Sequence, residues 1–194
     1  MSPVIKWLGG GAALLVLGAI LSVSSDAEAM PTERPPRGGG GAGAGGSVGK
    51  LQAKLDAAGV QYFGAHELLR IRHRSIAKRV GITSAQFEAG DVILDELVKV
   101  AKVADLLRER YGAPVRVLNG YRPRAYNREV NGASGSQHIY GRALDLTADD
   151  MPRLRALAIE MWRAGEFGGF GNYTGNVHID TRSKPASWGS QMPD

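Results

Sequence analysis

Residues 38–46 read Gly-Gly-Gly-Gly-Ala-Gly-Ala-Gly-Gly, and this run limits the fold more firmly than any other feature. It offers nothing to bury and loses much backbone entropy on ordering, so it is expected to be a flexible linker. With the proline-rich residues before it, the linker spans 30–47. The remainder, 48–194, is long enough for one domain with one core. No cysteine occurs in the chain, which rules out disulfides, thiolate metal sites and a cysteine nucleophile. The formal net charge of +5 is modest and spread out. Its densest part, Arg70, Arg72, His73, Arg74, Lys78 and Arg79, reads first as a solvated helix face and second as an attraction for an acidic polymer. No basic stripe interleaved with aromatics is present, and no nucleic-acid partner is expected.

Residues 1–29 carry an address. A short start ending in Lys6 precedes an apolar run over 7–23 and the small-residue stretch Ser24-Ser25-Asp26-Ala27-Glu28-Ala29. This pattern describes a signal peptide cleaved after Ala29. Retention as a membrane anchor is the alternative, with Lys6 on the inner side. Both place the domain outside the cytoplasm, in the periplasm or cell envelope, secreted or tethered.

Within the domain, residues 48–60 are expected to form a short helix closed by Gly59. Glu67–Val80 reads as a second helix ending before Gly81, with Thr83 and Ser84 as nearby cap candidates. From Asp91 to Tyr111, Ile93, Leu97, Val100, Ala104 and Leu107 recur at helical spacing. Gly112 and Pro114 stop that helix, and residues 115–118 alternate as a strand. Turn signals fill 119–137. A strand over 142–146, a helix over 151–164, a turn at 165–170 and a strand over 177–180 complete the chain. The order predicts an α+β domain, a small antiparallel sheet with helices packed on it, and a monomer.

Two strings carry the chemistry: Ser136-Gln137-His138-Ile139-Tyr140-Gly141-Arg142-Ala143-Leu144-Asp145 and Val177-His178-Ile179-Asp180. Residues two apart on a strand share a face, so Asp145 and His178 meet if their strands are neighbours. A bend at Gly141 would return His138 to the same point, and small Ala143 leaves room beside it. His138, Asp145 and His178 thus form a candidate set of zinc ligands, each at about 2.0–2.2 Å from the ion, with a fourth position open. Such a site lowers the pKa of a bound water and polarises a carbonyl. Asp180, on the face of His178, is either the base for that water or an outer carboxylate orienting an imidazole. Arg122, in the turn after a strand, is the candidate cation for an oxyanion. Tyr121, Ser136 and Gln137 flank these groups and are candidate substrate contacts, although Tyr121, like Trp162, also reads as a core aromatic. Trp188 either packs on the domain or lines the cleft. His66 and His73 read as ordinary surface or core histidines.

The pattern Ser136-x-His138-x-x-Gly141-x-Ala143-x-Asp145, followed by His178-x-Asp180, resembles the zinc D-Ala-D-Ala carboxypeptidase and murein endopeptidase family, which shares its fold with the hedgehog signalling domain. Gly120-Tyr121-Arg122-Pro123, Tyr126-Asn127, Gly132-Ala133-Ser134 and Gly168-Gly169-Phe170-Gly171-x-Tyr173 add to the likeness, which covers about residues 62–182. The resemblance implies that His138, Asp145 and His178 bind Zn2+ and that Arg122 holds substrate or oxyanion. It also implies cleavage of peptidoglycan stem or cross-link peptides. Some relatives place an acid three residues before the last histidine, where this chain has Gly175. A non-catalytic, zinc-containing wall-binding or signalling module is the alternative reading.

Overall fold

A computed structural model describes residues 46–82 and 89–189. The expected signal or anchor, nearly all of the linker, and the cap candidates Thr83 and Ser84 lie outside the described residues. Among the described residues no helix is long and apolar enough to cross a membrane.

The longest element is the helix Asp91–Tyr111, here α4, the clearest helix of the sequence. Leu94, Leu97, Val100, Ala101, Ala104, Leu107 and Tyr111 are buried along one stripe at helical spacing, while Ile93 is only half-buried. Gly112, at φ +69°, ends it in the left-handed conformation that glycine adopts without penalty. Helix α1 (Ser47–Ala57) packs against α4 through Leu51 and Leu55. Helix α6 (Met151–Arg163) packs on another side of α4. Asp150 caps α6 by accepting from the Arg153 amide at 3.0 Å, and Pro152 fits its first turn.

Five strands form one sheet: β1 (Arg116–Asn119), β2 (Ala143–Thr147), β3 (Gly169–Asn172), β4 (Val177–Asp180) and β5 (Ala186–Gly189), in the order β1-β2-β4-β3-β5. The α+β class is as expected, but the sheet is mixed, because β5 runs parallel to β3 while the other pairs are antiparallel. Leu144, Leu146, Val177 and Ile179 point from β2 and β4 into the core shared with α4. The opposite face of the same two strands carries Ala143, Asp145, His178 and Asp180.

Three parts of the chain depart from expectation. The single helix over Glu67–Val80 is two short ones, α2 (Ala65–Leu68) and α3 (Arg74–Arg79). Tertiary partners claim the backbone between and beside them: the Leu68 carbonyl accepts from the Tyr121 amide at 3.0 Å, and the His73 amide donates to the Tyr126 hydroxyl at 3.2 Å. Inside the stretch of turn signals lies α5 (Arg124–Glu129), started by Pro123 and anchored by buried Tyr126 and Asn127. Finally, the glycine-rich residues 169–172 form a strand rather than a turn alone. Its glycines leave space that neighbours fill: a Cβ at Gly169 would lie 2.2 Å from the Asp180 carboxylate, and one at Gly171 would lie 2.9 Å from the His178 Cβ.

Because Leu97 of α4 is fully buried in the core, Leu97→Ala is expected to cost about 2–5 kcal/mol of stability. Urea unfolding of the two proteins measures the difference.

Candidate metal centre

Pairing of β2 with β4 sets Asp145 directly opposite His178 and Ala143 opposite Asp180. His138 arrives from the 3₁₀ turn Gln137–Tyr140, just before β2. Gly141 ends that turn at φ +70°, and a Cβ there would lie 2.6 Å from the Ile93 carbonyl oxygen of α4. Only glycine therefore allows the reversal that carries His138 back over the strand.

Three donor atoms converge. His138 Nε2 lies 3.2 Å from Asp145 Oδ1 and 3.2 Å from His178 Nδ1, and His178 Nδ1 lies 3.0 Å from Asp145 Oδ1. All three side chains are buried. The outer atoms of each group decide where its protons are. The Gly120 carbonyl can only accept, so at 2.7 Å it places a proton on His138 Nδ1 and leaves Nε2 with a lone pair. Asp180 Oδ2, 3.1 Å from His178 Nε2, holds the proton of a neutral His178 on Nε2, which frees Nδ1 in that form. Asp145 Oδ2 accepts from Asn119 Nδ2 at 2.9 Å and from Arg122 Nη2 at 2.7 Å, which turns Oδ1 inward. With both imidazoles neutral, three lone pairs face one another at the floor of a cleft, an arrangement that a cation relieves. Donors in a tetrahedral zinc shell stand roughly 3.3 Å apart, and the observed triangle is close to that size.

The electrostatics follow from the same contacts. Burial pushes the His138 imidazole below its usual range, against the pull of Asp145. For Asp145, burial works upward, but the two imidazoles outweigh it and hold the carboxyl well below the usual range. Burial would lower His178, yet its bonds to Asp145 and Asp180 raise it. Asp180 also resists burial and is held at about 2 by His178 and by Arg182. The Arg182 guanidinium donates to both Asp180 oxygens, with Nη2 at 2.6 Å from Oδ2, and the Arg182 amide donates to Oδ1 at 3.0 Å.

The cleft above the triad measures about 600 Å³. Ser136, Gln137 and Arg122 line it, and so do Trp188 and Tyr173. Tyr121 does not: it is half-buried and packs on the core. Asp180 is fully buried behind His178, on the side away from the triad, and is not part of the cleft wall. Of the two roles open to it, this geometry fits the orienting carboxylate and not the base, which has to reach the cleft. Arg122 is committed to Asp145 rather than standing free, and its amide donates to the His138 carbonyl at 3.0 Å. His66 and His73 stand outside the cluster.

Sequence reasoning gives no site role to Asn119, the Gly120 carbonyl or Arg182, and names Tyr173 only within the family likeness. Asn119 and Gly120 read as a turn signal, with Gly120 also part of the family likeness, and Arg182 carries no signal of its own in the sequence beyond its two-residue spacing from Asp180.

The family model described as Peptidase M15 matches residues 61–180, a span that includes all three donors, Arg122 and Asp180. No curated protein matches the chain.

Zinc added to metal-free protein is expected to raise its melting temperature, because the ion binds only the folded triad; differential scanning calorimetry reads the shift, and His138→Ala should lose it. Removing the orienting carboxylate with Asp180→Ala is expected to weaken zinc binding by about 10–100-fold, measured by competition with a chromogenic chelator.

Proposed function

The chain belongs to the peptidase M15 family, and on that premise we propose that it is a zinc-dependent hydrolase of peptide bonds in bacterial peptidoglycan, working outside the cytoplasm. The observation that carries this reading is the triangle of buried ligand atoms, 3.0–3.2 Å on a side, at the floor of an open cleft. His138, Asp145 and His178 would hold the ion. Zinc in such a site supplies Lewis acidity, lowering the pKa of a water and polarising a substrate carbonyl. The protein contributes orientation: Gly120 and Asp180 fix the two imidazoles, and Asn119 with Arg122 fixes the carboxylate. Arg122 also brings positive charge to the cleft wall, where it favours negative charge developing on a carbonyl oxygen. In the net reaction water adds to the carbonyl carbon, the C–N bond breaks, and the amine leaves with a proton.

Polar cleft residues, among them Asn131, Ser136, Gln137 and Asn176, suit a substrate rich in amide groups. The expected export segment at 1–29 supports a wall substrate. Among the described residues, the only arginines or lysines lining the cleft are Arg122 and Arg182, each already paired with an aspartate. With no uncommitted cation for a terminal carboxylate, the cleft favours cutting inside a cross-link over trimming a C-terminal residue.

Digestion of purified sacculi, followed by mass spectrometry of the released muropeptides, tests this. Conversion of cross-linked to uncross-linked muropeptides is expected, and chelation or His138→Ala should lower the rate by about 10³-fold or more, the several kcal/mol that the metal supplies. Zinc-dependent binding to sacculi with no cleavage would instead identify a wall-binding module.

A further inference from the structure

Beside the triad, on the same sheet, one wall of the cleft is built from an aromatic pair that the reactions above do not use. Tyr173 stands in the tight turn between β3 and β4, where its amide donates to the Asn176 carbonyl at 3.1 Å. Arg155 of α6 holds this turn from outside, donating Nη2 to the Tyr173 carbonyl at 3.0 Å. The ring itself is exposed (43 %) and faces the cleft.

Trp188, on β5, decides what the phenol can do. Indole Nε1 donates to the Tyr173 hydroxyl at 2.8 Å. An indole nitrogen is a donor only, so the phenol oxygen must accept, and its own O–H must point elsewhere. No acceptor within the described structure takes that proton, and the cleft is what the hydroxyl faces.

Trp188 is itself held in place. Its ring packs on His178 with centroids 5.1 Å apart, and the Arg182 guanidinium stacks on it at 4.8 Å. Gly171, opposite it in the parallel β3–β5 pair, has no Cβ; one there would lie 2.8 Å from indole Nε1. The unusual parallel edge strand thus sets an indole against a metal-ligand histidine and presents a phenol to the substrate.

We propose that Tyr173 is a catalytic residue, a neutral donor whose O–H, aimed by Trp188, binds a backbone carbonyl of the peptide lying in the cleft. Trp188 is then a positioning residue that acts through the Tyr173 hydroxyl. The proposal rests on the peptidase reading above. It adds an uncharged donor to a cleft whose arginines are already paired.

The test compares zinc-loaded wild type, Tyr173→Phe, Trp188→Phe and the double variant on cross-linked muropeptides. Tyr173→Phe removes one oxygen from an exposed ring, and its zinc content and melting temperature should match wild type. Its kcat/KM is expected to fall by about tenfold or more, as when one preorganised donor is lost. Trp188→Phe should lower kcat/KM in the same direction, and the double variant should be no worse than the worse single, because both changes act on one hydroxyl. A drop in kcat places the bond in the transition state, a rise in KM places it in the bound substrate, and either supports the contact. Wild-type kcat/KM in Tyr173→Phe would overturn the proposal. A wild-type protein that binds sacculi without cutting them would overturn the peptidase reading instead.

Discussion

The register between β2 and β4 governs the molecule. Asp145 sits opposite His178 and Ala143 opposite Asp180, while the residues between them, Leu144, Leu146, Val177 and Ile179, are fully buried on the other face. Each such side chain is worth roughly 1.5–3 kcal/mol of burial. A slip of one residue would turn those four toward water and the ionisable groups toward the core. Core packing against α4 therefore holds His178 and Asp145 in place from the far side of the sheet.

Around that pairing, every donor is fixed by a second contact, and several of those contacts are fixed by a third. Asp145 is buried, which would be costly for an isolated charge. Asn119 and Arg122 stabilise one oxygen and leave the other for the centre. Asp180, entirely buried, holds His178 and is held by Arg182, which in turn stacks on Trp188. A chain of contacts thus runs from the triad through the Asp180–Arg182 ion pair to the cleft wall. Small residues make it possible: Gly169 leaves space for the Asp180 carboxylate, and Gly171 for Trp188 and His178.

Much of this was legible in the chain. The α4 stripe, the strands β2 and β4, the bend at Gly141 and the three donors follow from periodicity, residue type and spacing, which are local properties. Less was legible where partners lie far along the chain. Residues 67–80 have helical composition, yet the helix breaks where Leu69 is buried and β1's neighbours take up nearby backbone groups. Gly169–Asn172 has little intrinsic strand preference and is a strand because β4 and β5 pair with it on both sides.

By itself, then, the sequence determined that two histidines and an aspartate can meet across neighbouring strands, and that this chain carries no thiol. Only the tertiary structure decided which nitrogen of each imidazole faces inward, because that depends on acceptors 18 residues away for His138 and on Asp180's orientation for His178. It also decided that Asp180 lies behind the site, that Arg122 is paired, and that β5 carries Trp188 to Tyr173. Contacts between groups far apart along the chain are three-dimensional facts, and local spacing does not encode them.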